Sequence, residues 1–290
     1  MSATHNYRDI DKTKIKVFDL LPVLLAFFAA LFICPLCVYA GERDSAMALA
    51  GEGKFSEARG GFEKALKMDR GDSLSAGSLG ILDDLDSGKI EKKCALFLFK
   101  GLGLIAANLP EQAIDELLRA EKLNPAYART HNIMGMTYAI LGYPGEAEKQ
   151  LKEAIRLQPR YAQAYFNLGS FYQSQGENSR ALENYEKAAD LDRSSPEAYM
   201  DIAYIHAGEG RYKEAIPYFQ KVLSLAPDNA GAYYNLGMAY FMSNQYLKSR
   251  ENFIKAKAFY QKAGDEKGVA DTDIFLDKFF ELEAKWKEKS

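Results

Sequence analysis

The 290-residue chain carries 37 Lys and Arg against 40 Asp and Glu, a formal charge of −3. That balance leaves no broad basic footprint, so nucleic acid is not an expected partner. Three cysteines make no disulfide framework, and 48% hydrophobic residues with nine prolines argue for a packed core and against disorder.

Residues 1–16 form a basic leader with Arg8, Lys12, Lys14 and Lys16. Segment 17–40 follows and holds an uncharged apolar run, Leu20 to Val38. Val38-Tyr39-Ala40 puts compact residues where a signal peptidase reads, which fits a signal peptide cleaved near Ala40. The run is also long enough to stay as a single transmembrane anchor. Both readings remain open. Under either, the basic leader stays in the cytoplasm and everything after Gly41 faces the exported, periplasmic or extracytoplasmic side. A buried soluble helix is a third reading, opposed by Pro22 and Pro35 flanking the run. Cys34 and Cys37 have a C-x-x-C spacing, but inside so apolar a segment they read as small hydrophobes.

Residues 41–72 keep Gly53, Phe55, Ala58, Phe62 and Ala65, a spacing that returns downstream, behind a poor first helix. Residues 73–93 are too few for another copy. Leu74, Leu79, Leu82 and Leu85 fit one amphipathic helix there, an insert expected to interrupt the stacking phase. Residues 94–127 keep Gly101, Ala113, Leu117, Ala120 and Pro125. Gly101 to Ala106 also resembles a dinucleotide loop, but no β-α-β context surrounds it.

From 128 to 263 the period is 34 residues without a gap, giving units 128–161, 162–195, 196–229 and 230–263. A small residue recurs at Gly135, Gly169, Ala203 and Gly237, and three positions later Tyr138, Tyr172, His206 and Tyr240. Ala147, Ala181, Ala215 and Ser249 follow, then Leu151, Tyr185, Phe219 and Phe253, then Ala154, Ala188, Val222 and Ala256. Small residues let paired helices approach, and large ones fill the gap beside them. Gly142, Gly176 and Gly210 suit the turn between helices, and Pro125, Pro159 and Pro227 stop the second helix.

Ala164 to Tyr172 and Ala232 to Tyr240 resemble the first helix of the tetratricopeptide repeat family, and Leu182 to Ala188 resembles its second. The resemblance implies an all-α fold, a right-handed α-α superhelix or TPR solenoid. It also implies that a partner protein or peptide binds a concave groove lined by first helices. The groove positions are then Leu98, Phe99, Leu102 and Ile105; Arg129, Asn132, Ile133, Met136 and Ile140; and Gln163, Phe166, Asn167, Ser170 and Gln173. They continue as Met200, Asp201 and Tyr204, then Tyr234, Asn235, Met238, Phe241 and Met242. Asn167, Asp201 and Asn235 share one repeat position, where an amide can pair with a peptide backbone or satisfy its own surroundings. About half of the aromatic and Met side chains are expected to be core. Relatives that clamp a C-terminal carboxylate use several cations, and only Arg129 is basic here, so no carboxylate-clamp ligand is expected.

Residues 264–290 open with the helix-breaking Gly264-Asp265 and continue as a helix from Val269 to Trp286. Ile274, Phe275, Leu276, Phe279, Phe280 and Leu282 suit a cap that closes the core. A docking surface of Phe279, Phe280 and Trp286 is the alternative. His5, His131 and His206 are scattered, and no zinc, Walker-type or G-x-S-x-G motif occurs. No catalytic residue, metal or cofactor is expected. The function expected is a non-catalytic scaffold or adaptor of the cell envelope. The alternatives are an extracytoplasmic chaperone or carrier for secreted chains, or an accessory subunit of an envelope enzyme.

Overall fold

The computed structural model describes residues 40–68 and 72–287, so the leader and the apolar run 20–38 lie outside the described residues. Among the described residues no helix is long and apolar enough to cross a membrane. Those residues form fourteen helices and no strand. They divide into two compact units, one ending at Arg193 and one beginning at Ser194.

The first unit holds α1 (Ala40–Gly51), α2 (Phe55–Met68), α3 (Ser73–Asp86), α4 (Lys92–Ala106), α5 (Pro110–Leu123), α6 (Ala128–Ile140), α7 (Pro144–Leu157), α8 (Ala162–Ser174) and α9 (Asn178–Leu191). The second holds α10 (Pro196–Gly208), α11 (Tyr212–Leu225), α12 (Ala230–Met242), α13 (Tyr246–Ala263) and α14 (Glu266–Lys287). Apart from α3 and α14, they are paired hairpins, each first helix packed on its second.

The crossing residues explain the pairing. A Cβ on Gly135 would come within 2.6 Å of the Leu151 side chain, and one on Gly169 within 2.8 Å of the Tyr185 ring. Gly101 faces Leu117 and Gly237 faces Phe253 in the same way. Small against large, sixteen residues apart in each pair, sets the helix spacing.

The turns repeat equally closely. Asn108, Gly142, Gly176, Gly210 and Asn244 step by 34 and all have positive φ, from 59° to 76°. Three of the five are glycines. The two asparagines take the same left-handed place because Asn tolerates it better than other side chains. At the far end, Asn124, Gln158 and Ala226 are extended, with φ between −141° and −130°. Each precedes a proline, whose ring disfavours helical geometry in the residue before it.

The insert is α3, with Ile81 and Leu82 fully buried. Asp72 caps it by accepting from the Ser75 N–H at 3.2 Å. The stack is not severed there, because α1 packs directly on α4 while α3 lies against both α2 and α4. Cys94 on α4 is buried, its thiol pushed up to about 11, by burial first and by Glu91 second. Such a thiol is a poor nucleophile.

Gly264, in the left-handed region at φ 72°, ends α13. The chain then returns as α14, whose Phe275, Leu276 and Phe279 bury against Tyr234, Met238, Phe241 and Phe253. Phe279 is therefore core, which corrects its use as a docking residue. Phe280 and Trp286 fall among side chains outside the described set.

Candidate protein-binding face

The first helices of each unit carry the groove positions, and the structure sorts them. Leu98, Phe99 and Leu102 are core: Phe99 lies 6.0 Å from Phe62, stacked, and 5.9 Å from Phe55. Their groove assignment is corrected accordingly. Tyr234, Met238 and Phe241 are likewise buried in the second unit's core against α13 and α14. A helix whose neighbours close over it on both sides has no side left for a ligand at those positions.

Arg129 is not an available cation. Its Nε donates to Asp84 Oδ2 at 2.9 Å, and its guanidinium lies 5.3 Å from the Tyr161 ring centroid. Lys89 donates to Asp84 Oδ1 at 2.6 Å and the Tyr127 hydroxyl to Oδ2 at 2.7 Å. Burial alone would raise the Asp84 pKa. The hydrogen bonds from Lys89, Tyr127 and Arg129 outweigh it and hold the carboxyl below its ordinary range. Gly80 leaves the room: a Cβ there would run into the Arg129 guanidinium. The cluster joins α3 to α6.

The amides beside it are also engaged. Asn167 donates to Asn132 Oδ1 at 2.9 Å, and Gln163 donates to Asn167 Oδ1 at 2.9 Å. Asn132 and Asn167 are both buried. Ser170 donates to the Phe166 carbonyl and accepts from the Tyr185 hydroxyl at 3.1 Å. Met136, Phe166 and Ser170 remain half-buried, and Ile140 is 57% exposed.

In the second unit Met200, Asp201, Tyr204, Asn235 and Met242 are half-buried. Tyr204 packs edge-on to Phe219, its hydroxyl pushed up to about 12 by burial and then by Asp201. Asn235 donates to the Gly231 carbonyl at 2.8 Å and to the Tyr204 hydroxyl at 3.4 Å. The Asp201 carboxyl is pushed up to about 7, first by burial and then by the like charge of Glu197.

Sequence reasoning missed the Asp84 cluster and the ladder through Gln163. Gln163 sits four residues before Asn167, a helical spacing that could have revealed the pair. Asp84 had no such signal, because Tyr127 and Arg129 reach it from more than 40 residues along the chain and Lys89 from the loop after α3. The two described histidines are engaged within the fold. His131 contacts Gln150 at 2.7 Å and the Pro125 carbonyl at 2.8 Å, and His206 stacks on Tyr218. Among the described residues no three His, Cys, Asp or Glu gather as metal ligands.

Paired helices, small-on-large crossings and left-handed turns in a 34-residue register are matched by family models described as tetratricopeptide repeat, over residues 134–196 and 172–230 and again over 206–262. Over residues 134–262 the chain is built of tetratricopeptide repeats. Solved TPR-like structures align with it. A crystal structure of MamA is 26% identical, covering 57% of this chain and 96% of that one, with a TM-score of 0.52. YrrB, described as a TPR protein with an unusual peptide-binding site, is 21% identical over 73% of this chain and 97% of its own, at 0.50. PilF of Pseudomonas aeruginosa is 16% identical over 69% and 98%, at 0.53. No curated protein matches the sequence. The TPR fold is in general a protein–protein interaction scaffold, and its repeats are typically non-catalytic.

Proposed function

We propose that this TPR protein is an adaptor of the cell envelope, holding a partner protein against its first helices. The observation that carries the reading is what the core leaves over. Met136, Phe166 and Ser170 in one unit, and Met200, Tyr204, Asn235 and Met242 in the other, stay half-buried on first helices after packing is satisfied. Aromatic and Met side chains of this kind are adaptable contact surfaces. An extended segment or an amphipathic helix of the partner suits them. YrrB, of similar fold, is described with a peptide-binding site, which favours a peptide ligand here.

The envelope setting rests on Leu20 to Val38 behind Arg8, Lys12, Lys14 and Lys16. That layout exports residues after Gly41, either anchored or released near Ala40. Purification of residues 41–290 on native envelope fractions should recover one partner in stoichiometric amount. Broad, weak capture of many unfolded chains supports the carrier reading instead. Recovery of none at low salt rejects both. The mass of the native N-terminus distinguishes cleavage from anchoring.

A further inference from the structure

The extra helix α3 turns the start of the chain around. Arg59, in the first turns of α2, donates to Asp83 and Asp86 at the end of α3, both at 2.8 Å. A short loop carries Asp86 into α4, which begins at Lys92. Phe55, the first residue of α2, accordingly reaches Phe99 on α4 at 5.9 Å. The other end of α2, at Met68, then lies on the side where α4 ends. Ala40 lies there too, because α1 runs antiparallel to α2: Glu42 pairs with Lys64 at 3.7 Å and Arg43 with Asp72, just past α2, at 3.9 Å. First helices of successive hairpins run parallel, as α4 and α6 do. One inserted helix reverses α1, so Ala40 emerges on the edge formed by the turns after α4 and α6.

That edge is apolar beside the start of the chain. Met68 ends α2, Leu109 lies in the turn after α4, Ile140 ends α6 and Tyr143 lies in the turn that follows; they are 40% to 62% exposed. Tyr143 stands edge-on to Tyr138, with ring centroids 6.4 Å apart. The apolar character is local. Leu109 and Tyr143 share a repeat position that becomes Glu177 at the next turn. Ile140 becomes Ser174 in the same step. Charges beside the patch are of both signs, with Lys64 paired to Glu42 and Lys149 to Glu146 at 3.2 Å. The opposite edge, where α4 begins and α5 ends, instead exposes Lys89, Lys92, Lys93 and Lys122 around Leu123.

We propose that this edge of the first unit rests on the lipid surface, with Met68, Leu109, Ile140 and Tyr143 set into the headgroup boundary. The proposal rests on the anchored form of the envelope reading above and deepens it. The path of the chain selects a bilayer as the occupant: the apolar run ends at Val38 and α1 begins at Ala40, on this edge. A link of one residue spans only about 4 Å per step, so the edge stays at the surface the run enters. Protruding aliphatic side chains and a tyrosine with one wet end suit that interface. The mixed charge means that the contact does not depend on anionic lipid. The helices α4 and α6 then meet the bilayer by their ends, and their sides stay open to a partner.

The test uses the full-length chain in phosphatidylcholine nanodiscs that carry a lipid with a diazirine high on its acyl chain. Irradiation marks residues in contact with lipid, and peptide mass spectrometry locates the adducts. Adducts should fall on the run 20–38 and on peptides holding Met68, Leu109 and Tyr143. The peptide holding Leu123, exposed on the opposite edge, should carry about fivefold fewer. The L109E/Y143E variant puts at both turns the residue type that Glu177 already supplies at the next one, and its helicity by circular dichroism controls for folding. It should lose about fivefold of the adducts at Met68 and Ile140, with labelling of the run unchanged. Adducts confined to the run, equal on the two edges, or undiminished in the variant overturn the proposal and leave the anchor standing. A run that takes no adduct removes the anchor reading and the proposal with it.

Discussion

Asn167 donates its side-chain amide to Asn132 across the junction between α8 and α6 at 2.9 Å, with both residues buried. At the repeat position it shares with Asp201 and Asn235, this amide is part of the packed wall. From the sequence alone, replacing Asn167 and Asn235 with Ala is expected to weaken partner binding with helicity and melting nearly unchanged. The ladder leads elsewhere. Asn167→Ala leaves Asn132 and Gln163 each short of a partner and should cost about 1–2 kcal/mol of stability. Urea unfolding measures it, and an unchanged midpoint rules out the ladder as a structural element.

Asn235 occupies the same position but is half-buried, and its two hydrogen bonds reach the Gly231 carbonyl and the Tyr204 hydroxyl. Asn235→Ala should cost about 0.5–1 kcal/mol and also loosen Tyr204. Its effect on peptide affinity should therefore exceed that of Asn167→Ala, measured by titration at matched folded fraction.

The crossings give a sharper contrast. Gly169→Leu drives a branched side chain into Tyr185, where even a Cβ comes within 2.8 Å of the ring, and should cost roughly 1–3 kcal/mol or more. Gly208, in the last turn of α10, has nothing within 4 Å of its ideal Cβ. Gly208→Ala should be neutral or stabilising by up to about 1 kcal/mol. Thermal melts should fall for Gly169→Leu and stay level or rise for Gly208→Ala.

Two carboxylates respond to pH with opposite signs. Asp84 is held below its ordinary 3.8, so its contribution is present above that value and is lost as pH falls through the folded pKa. Asp201 is raised from 3.8 to about 7, so the folded state keeps a proton that the unfolded chain releases. The second unit should lose stability as pH rises from about 4 to 7, by about 1–2 kcal/mol for a half-buried carboxylate. Asp201→Asn should abolish that decline, seen as slower amide exchange in α10 at pH 8. Asp84→Asn should instead destabilise the first unit at neutral pH, because Arg129 loses its counter-charge.

The repeat was legible because its residues act within one hairpin. Gly169 meets Tyr185 at a constant offset, and Gly142 needs only its own backbone. Asn108 and Asn244 hold the same left-handed turn but were not read, since asparagine signals that conformation less plainly than glycine. The groove was less legible. Repeat position gives the side of a helix, and burial depends on what closes over it. Phe99 disappears under Phe55 and Phe62, and Tyr234 under α14, through contacts between hairpins that no period encodes. Arg129 looked available because its partner Asp84 lies in the one helix that breaks the repeat.

The central claim is that the first helices hold the partner. A photo-crosslinking residue placed in cells at Phe166 or Tyr204, on α8 and α10, should capture one defined protein. The same residue at Ile254, 51% exposed on the second helix α13, should not. Capture at Ile254 with none at Phe166 or Tyr204 would contradict the account.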